Sequence, residues 1–287
     1  MAFLIPLALA GAALSVTAAK VYAHFNKPPP NPPPPPSPEV TEEIMIRSAQ
    51  EKLGMDIVNH YNIAICGGSG SGKSSFINCI RGVADVELSS AFIYIDTGSA
   101  PSGINETTQA PACYRWPNNE LPYLSLWDLP GGGTQKHPAE TYFEDKTLYA
   151  FDCLLLLKAG RFTSLDVQIF KKAVEYKMPI AVVMTKADQD INNRTKTKAR
   201  ELGRKLTKDE YKSLIEETIR MLKNNAKEEL ISAGCAEPTL NAMFVVSAIS
   251  YRDEKMNLLD DNDCPSLETE KVFLTCCNIT VYRRNTA

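Results

Sequence analysis

The sequence of 287 residues predicts an α/β fold, a mainly parallel sheet with helices on both faces. Short apolar strands alternate with longer amphipathic stretches. The first clear strand runs directly into a glycine-rich loop ending in Gly-Lys-Ser, and polar motifs follow the later strands. Strands are read at Tyr61–Cys66, Tyr123–Trp127, Cys153–Leu157, Ile180–Met184 and Ala242–Val246. Helical patterns cover Lys73–Ile80, Ser164–Lys177 and Lys208–Ala233. The last places Tyr211, Leu214, Ile215, Ile219, Leu222, Ala226 and Leu230 on one face, with Gly234 positioned to end it.

The totals suit one domain of about 200 residues plus appendages. Apolar residues make up 44 % and charged residues 23 %, so most of the chain has the means to form a core. A formal net charge of −3 gives no long-range attraction for nucleic acid or anionic lipid, and no nucleic-acid partner is expected. Eight cysteines show no metal-knuckle spacing; Cys66 and Cys153 lie inside apolar runs, and all are expected to be reduced.

Ahead of the domain, residues 1–27 form an apolar segment without charge between Ala2 and Ala19. Extended to Phe25, it spans about 24 residues, ~36 Å as a helix, more than the ~30 Å of a bilayer core. A cleaved signal, a disordered leader and a retained anchor all remain open. The anchor is the expectation adopted, because Lys20 and Lys27 follow the apolar run and place its C-terminal side in the cytosol. Residues 28–38 (PPPNPPPPPSP) lack backbone donors and predict a polyproline II rod of roughly 30 Å, a spacer or an SH3 or WW ligand. Residues 39–60 predict an amphipathic lead-in helix broken near Gly54, and residues 61–287 the domain itself.

The loop Gly67-Gly-Ser-Gly-Ser-Gly-Lys-Ser74 carries the strongest chemistry. Gly67, Gly70 and Gly72 let the backbone curl so that successive N–H groups face inward on phosphate oxygens. The following helix adds its positive N-terminal end, with Ser75 in its first turn. Lys73 supplies a compact cation for the β- and γ-phosphates, and the Ser74 hydroxyl suits Mg²⁺. Asp128, in Trp-Asp-Leu-Pro-Gly at the end of the next strand, is placed for the same metal, and Gly131 for offering its N–H to a γ-phosphate.

The base is expected at Thr185-Lys186-Ala187-Asp188, after the strand IAVVM. A carboxylate at Asp188 accepts from both N1–H and N2–H₂ of guanine, whereas adenine presents no such donor pair. The Lys186 stem can lie along the purine, and Ser247-Ala248 offers a backbone N–H to the guanine carbonyl. These motifs occur in the order of a P-loop NTPase of the Ras-like G-domain type, which implies GTP or GDP with Mg²⁺. A switch threonine is also required between the loop and Asp128, and spacing leaves Thr97, Thr107 and Thr108 open.

Together, CGGSGSGKSSFINCIRG, APSGINETT, LSLWDLPGGGT, TYFEDKTLYAFD and MTKAD resemble the G domain of the immunity-related, interferon-inducible GTPases, from about Glu39 to Phe273. The resemblance implies Thr108 as switch threonine and metal ligand, preceded by Glu106. Lys73 places the chain in the branch with Gly-Lys-Ser, for which nucleotide binding and hydrolysis are implied. It further implies activation when two G domains face one another. Such proteins continue into a helical domain, whereas this chain stops at Ala287. Its N-terminal apolar segment is expected to supply a membrane contact in that domain's place. Where Ras-like enzymes carry a water-orienting glutamine stands Gly132, with Gln135 displaced along the chain. Slow turnover as a monomer follows, and Glu106 is a candidate contributor across the dimer. The alternative is a membrane-tethered GTP-binding switch or scaffold with negligible turnover.

Overall fold

The computed structural model describes residues 41–83, 86–87, 100–102, 110–116, 121–132, 138–238, 242–260 and 263–286. The expected anchor, the proline rod, and Thr97, Glu106, Thr107, Thr108 and Gln135 lie outside these residues. Six strands form one sheet in the order β4 (Ala112–Arg115), β5 (Leu124–Asp128), β1 (Tyr61–Cys66), β6 (Cys153–Lys158), β7 (Ile180–Met184) and β8 (Met243–Val245). All neighbours pair in parallel except β4 with β5. A separate parallel pair joins β2 (Val86–Glu87) to β3 (Pro101–Ser102).

β1, β5 and β6 are buried along their whole length, which explains their near-continuous apolar runs. Successive side chains point to opposite faces, so one strand serves two cores. On one face Ile63, Ile65, Leu155 and Val183 pack with Phe76 and Ile77 of α2 (Lys73–Ile80) and with Val272 and Cys276 of α8 (Thr269–Thr286). On the other, Ala64, Leu154, Leu156 and Val182 meet Ile169 and Phe170 of α4 (Ser164–Glu175) and Ala226 and Leu230 of α6 (Lys208–Ser232). The expected mainly parallel sheet with helices on both faces is the observed one.

Helix ends follow local chemistry. Thr163 with Asp166, and Thr207 with Glu210, form capping boxes that start α4 and α6. α4 stops at Glu175 rather than Lys177, where the backbone enters the left-handed region at φ +52°. The lead-in helix, α1 (Thr41–Leu53), ends at the break expected near Gly54, and no helix resumes between there and His60. Gly54 takes φ +65° and donates to Glu51 O, Met55 N–H donates to Gln50 O, and residues 57–59 form a turn.

Three further helices were not foreseen beside α8: the short α3 (Tyr142–Asp145), α5 (Ala187–Leu202) and α7 (Ala248–Lys255). α8 ties the amino edge of the sheet together. Arg284, mostly buried, donates to Asp152 Oδ2 at 2.7 Å and His60 O at 3.1 Å. Asp152 Oδ2 also accepts Asn62 N–H at 2.7 Å, and Asn62 Oδ1 accepts Trp127 Nε1–H at 2.9 Å. This network joins α8, β1, β5 and the start of β6, leaving the opposite edge for the site.

All eight cysteines are free, in keeping with the reduced state expected of them. Among the described residues, no helix is long and apolar enough to cross a membrane.

Candidate nucleotide-binding site

The strand order changes direction at β1: the chain goes to β5 on one side and to β6 on the other. The crevice at the carboxyl ends of these strands is where open α/β sheets collect ligands. The register pairs Ile65 with Asp128 and Cys66 with Leu156, which sets the end of β5 and the flank of β6 beside the loop leaving β1.

Gly67 opens that loop at φ +134°, and a Cβ there would stand 2.1 Å from Leu157 O. Only glycine lets the chain pass so close to β6. Gly70 and Gly72 follow in the left-handed region at φ +75° and +86°. Gly72 caps α2 without a side chain, so the helix begins at Lys73 with its first-turn amides facing the loop. Lys73, buried, donates from Nζ to Gly68 O at 3.1 Å and Gly67 O at 3.3 Å, which folds its ammonium back into the loop. Ser74 Oγ donates to Asp128 Oδ2 at 2.7 Å, and Asp128 is completely buried. Ser75 is half-buried in the same turn.

The Asp128–Gly132 segment lies against the loop. Gly132 forms a parallel bridge with Gly68, and a Cβ on Gly131 would meet Ser69 Cα at 2.9 Å. A Cβ on Gly132 would stand 2.5 Å from Tyr142 Cδ2 and 2.8 Å from Leu165 Cδ2, so this position has no room for a glutamine.

At the other end of the crevice, Thr185 is buried, and its hydroxyl donates to Ser71 O at 2.7 Å and Lys158 O at 3.0 Å. Its side chain thereby ties the loop to β6 and β7. Lys186 is exposed at φ +60° and begins α5, with Asp188 half-buried in the first turn. Ala187 N–H donates to Val246 O at 3.2 Å, which draws the end of β8 to the same place. Ser247 is wholly buried; its Oγ accepts Ser250 N–H at 3.1 Å and caps α7. The structure thus gathers Gly67, Gly70, Gly72, Lys73, Ser74, Asp128 and Gly131 at the end of the crevice beside the glycine-rich loop, and Lys186, Asp188 and Ser247 at the other. Thr108 lies outside the described residues.

Four neighbours escaped the sequence reading. Tyr142 supports the Asp128–Gly132 segment, its hydroxyl donating to Pro130 O at 2.6 Å. Asp166 sits beneath the loop, where burial pushes its carboxyl up against the bonds from Thr163 and the pull of Lys158 and the Gly68 N–H. Lys158, over the Phe162 ring at 3.9 Å, has its ammonium pushed down by burial, against the attraction of Glu229. Near Asp188, burial pushes the Cys264 thiol up to about 12, with the Asp188 charge adding to it. Each is one residue in an ordinary helix, strand or loop segment, and the contact that brings it to the crevice, with Pro130, Gly68, Glu229 or Asp188, is made only by the folded chain.

The family model described as Interferon-inducible GTPase (IIGP) matches residues 44–276. The chain is 33% identical over 222 residues to Interferon-inducible GTPase 1 of Mus musculus, an alignment covering 76% of this chain and 48% of that protein. It is 30% identical over 224 residues to T-cell-specific guanine nucleotide triphosphate-binding protein 2 of Mus musculus, covering 78% and 46%. The chain therefore spans about half the length of the curated relatives it matches. Among solved structures, the LeoA bacterial dynamin GTPase from ETEC aligns with a TM-score of 0.51 at 12% identity, over 96% of this chain and 43% of that one, a likeness of fold alone. With the family model covering most of its length, this chain belongs to the interferon-inducible GTPase family.

Proposed function

We propose that this chain binds GTP and hydrolyses it to GDP and phosphate, slowly as a monomer and faster when two G domains face each other. The observation that carries the reading is the 2.7 Å hydrogen bond from Ser74 to Asp128, which joins the phosphate loop to the next strand's carboxylate. A hydroxyl and a carboxylate at that separation form an all-oxygen, hard donor set, the kind Mg²⁺ takes when phosphates and water complete its shell. Bound there, Mg²⁺ would offset charge on the β- and γ-phosphates, with Thr108 a further ligand by family resemblance.

The chain's own groups supply positioning and charge. The loop amides and Lys73 hold the phosphates, Gly131 N–H meets the γ-phosphate, and Asp188 reads guanine with Lys186 along the ring. Ser247-Ala248 supplies the backbone contact to the guanine carbonyl. Phosphoryl transfer depends mainly on such positioning, so turnover persists without a general base. The crowding of Gly132 against Tyr142 and Leu165 keeps the water-orienting group out of its usual place, and a second copy is the proposed source of the missing contact, with Glu106 the candidate. The same crowding favours the second reading, a GTP-binding switch or scaffold without useful turnover.

Single-turnover hydrolysis of γ-labelled GTP by the purified chain, over a wide range of protein concentration, separates them. The rate per molecule is expected to rise with concentration. A rate that stays flat would contradict activation by pairing, and GTP retained intact for hours at every concentration would favour the switch.

We place the protein at a membrane with its G domain toward the cytosol, on the apolar character of residues 1–27. A fluorescent protein carrying residues 1–38 is expected to concentrate at membranes; diffuse fluorescence would rule this out. The net charge of −3 gives no reason to expect nucleic acid as a partner.

A further inference from the structure

Asp128–Gly132 has to present one backbone N–H, that of Gly131, in a fixed direction. From one side the phosphate loop confines the segment, through the Gly68–Gly132 bridge and the close approach of Gly131 to Ser69. From the other side stands Tyr142, wholly buried, with its hydroxyl on Pro130 O at 2.6 Å and its ring against Gly132. Pro130 C=O and Gly131 N–H belong to the same planar trans peptide unit, so they point in opposite directions. Fixing the oxygen fixes the N–H. With Tyr142 on the carbonyl side, the Gly131 N–H is directed away from the tyrosine. Pro130 has no N–H of its own to help hold its position in the segment.

We infer that Tyr142 is a positioning residue for γ-phosphate recognition: through the Pro130–Gly131 peptide it sets the N–H that distinguishes a nucleoside triphosphate from a diphosphate. The inference rests on the guanine-nucleotide reading above. It differs from a packing role in what it predicts. A residue that only fills the core changes thermal stability and leaves the relative affinities of the two nucleotides unaltered. A residue that orients Gly131 changes the triphosphate alone, because a diphosphate has no oxygen at that N–H.

Tyr142→Phe keeps the ring and removes the hydroxyl. Affinities of the full chain for GTPγS and for GDP, each with Mg²⁺, are measured by calorimetry beside a thermal melt. The expected result is a loss of about fivefold for GTPγS, the size of one buried hydrogen bond, with GDP held within about twofold. Gly132→Ala, which presses on the same ring from the segment's side, is expected to give the same selective loss in a protein that still melts cooperatively. Equal changes for both nucleotides, or no change for either, would overturn the role of Tyr142 while leaving guanine-nucleotide binding intact. An unaltered chain that binds neither nucleotide would overturn that reading and this inference together.

Discussion

Replacing Lys73 by alanine is expected to weaken GTP binding by at least about 30-fold, because truncating one partner of a buried charge contact costs about 2–5 kcal/mol. The structure supplies the reason for so large an effect. Lys73 is buried, and Gly67 O and Gly68 O hold its ammonium in the loop, so its charge is fixed before any ligand arrives. Preorganised charge acts on phosphate without the reorganisation that a surface lysine would need. GDP affinity is expected to fall as well, since the proposed role of the cation includes the β-phosphate, and hydrolysis should fall further than binding. Calorimetric titration of both nucleotides, with single-turnover rates at saturation, checks this. Lys73→Arg should not restore function, because a planar guanidinium cannot take the place of a compact ammonium inside so tight a loop.

Asp188→Asn is expected to change which base is accepted more than how phosphate is held. A carboxylate accepts from both guanine donors, N1–H and N2–H₂. An asparagine amide keeps one acceptor and sets its own NH₂ against the second donor, which leaves a donor pair unsatisfied. Sites that read such groups lose about 100-fold or more when a partner is removed. Xanthine carries a carbonyl where guanine carries the amino group, and that carbonyl can accept from the new NH₂. GTP affinity should therefore drop by about 100-fold while xanthosine triphosphate approaches the original GTP affinity. The start of α5 should remain in place, because Asp188 is half-buried and the Ala187 N–H bond to Val246 O, rather than the carboxylate, anchors this turn. Binding of both triphosphates to the variant, with circular dichroism as a fold control, tests it.

How far the sequence disclosed the fold depended on whether burial left a periodic trace. β1 and β7 were read to the residue because each is a compact apolar run between clear breaks, and α2 because the glycine-rich loop marks its start and Arg81-Gly82 its end. β4 was missed: four residues with alternating half-buried and exposed side chains, pairing antiparallel at the edge, leave little signal. α5 buries only Ala187 and Ile191 and has no apolar stripe to see. α8 is rich in β-branched and aromatic residues such as Val272, Ile279 and Tyr282, whose propensity leans toward strands; packing against the sheet decides the matter. At the site, glycine spacing made the loop legible, since those backbone angles exclude nearly every other residue. The roles of Tyr142 and of the Thr185 hydroxyl were not legible, because they depend on contacts with Pro130 O and Ser71 O that only the folded chain creates.

A guanine nucleotide is expected to occupy the crevice between the glycine-rich loop and Asp188. The most direct test is competition on the full chain with Mg²⁺, in which GTP, GDP and ATP each displace a fluorescent GDP analogue. GTP and GDP are expected to displace it at concentrations at least about 100-fold below ATP, the discrimination available to a carboxylate that reads two donors. Displacement by ATP at the same concentration as GTP would rule out a guanine-selective crevice.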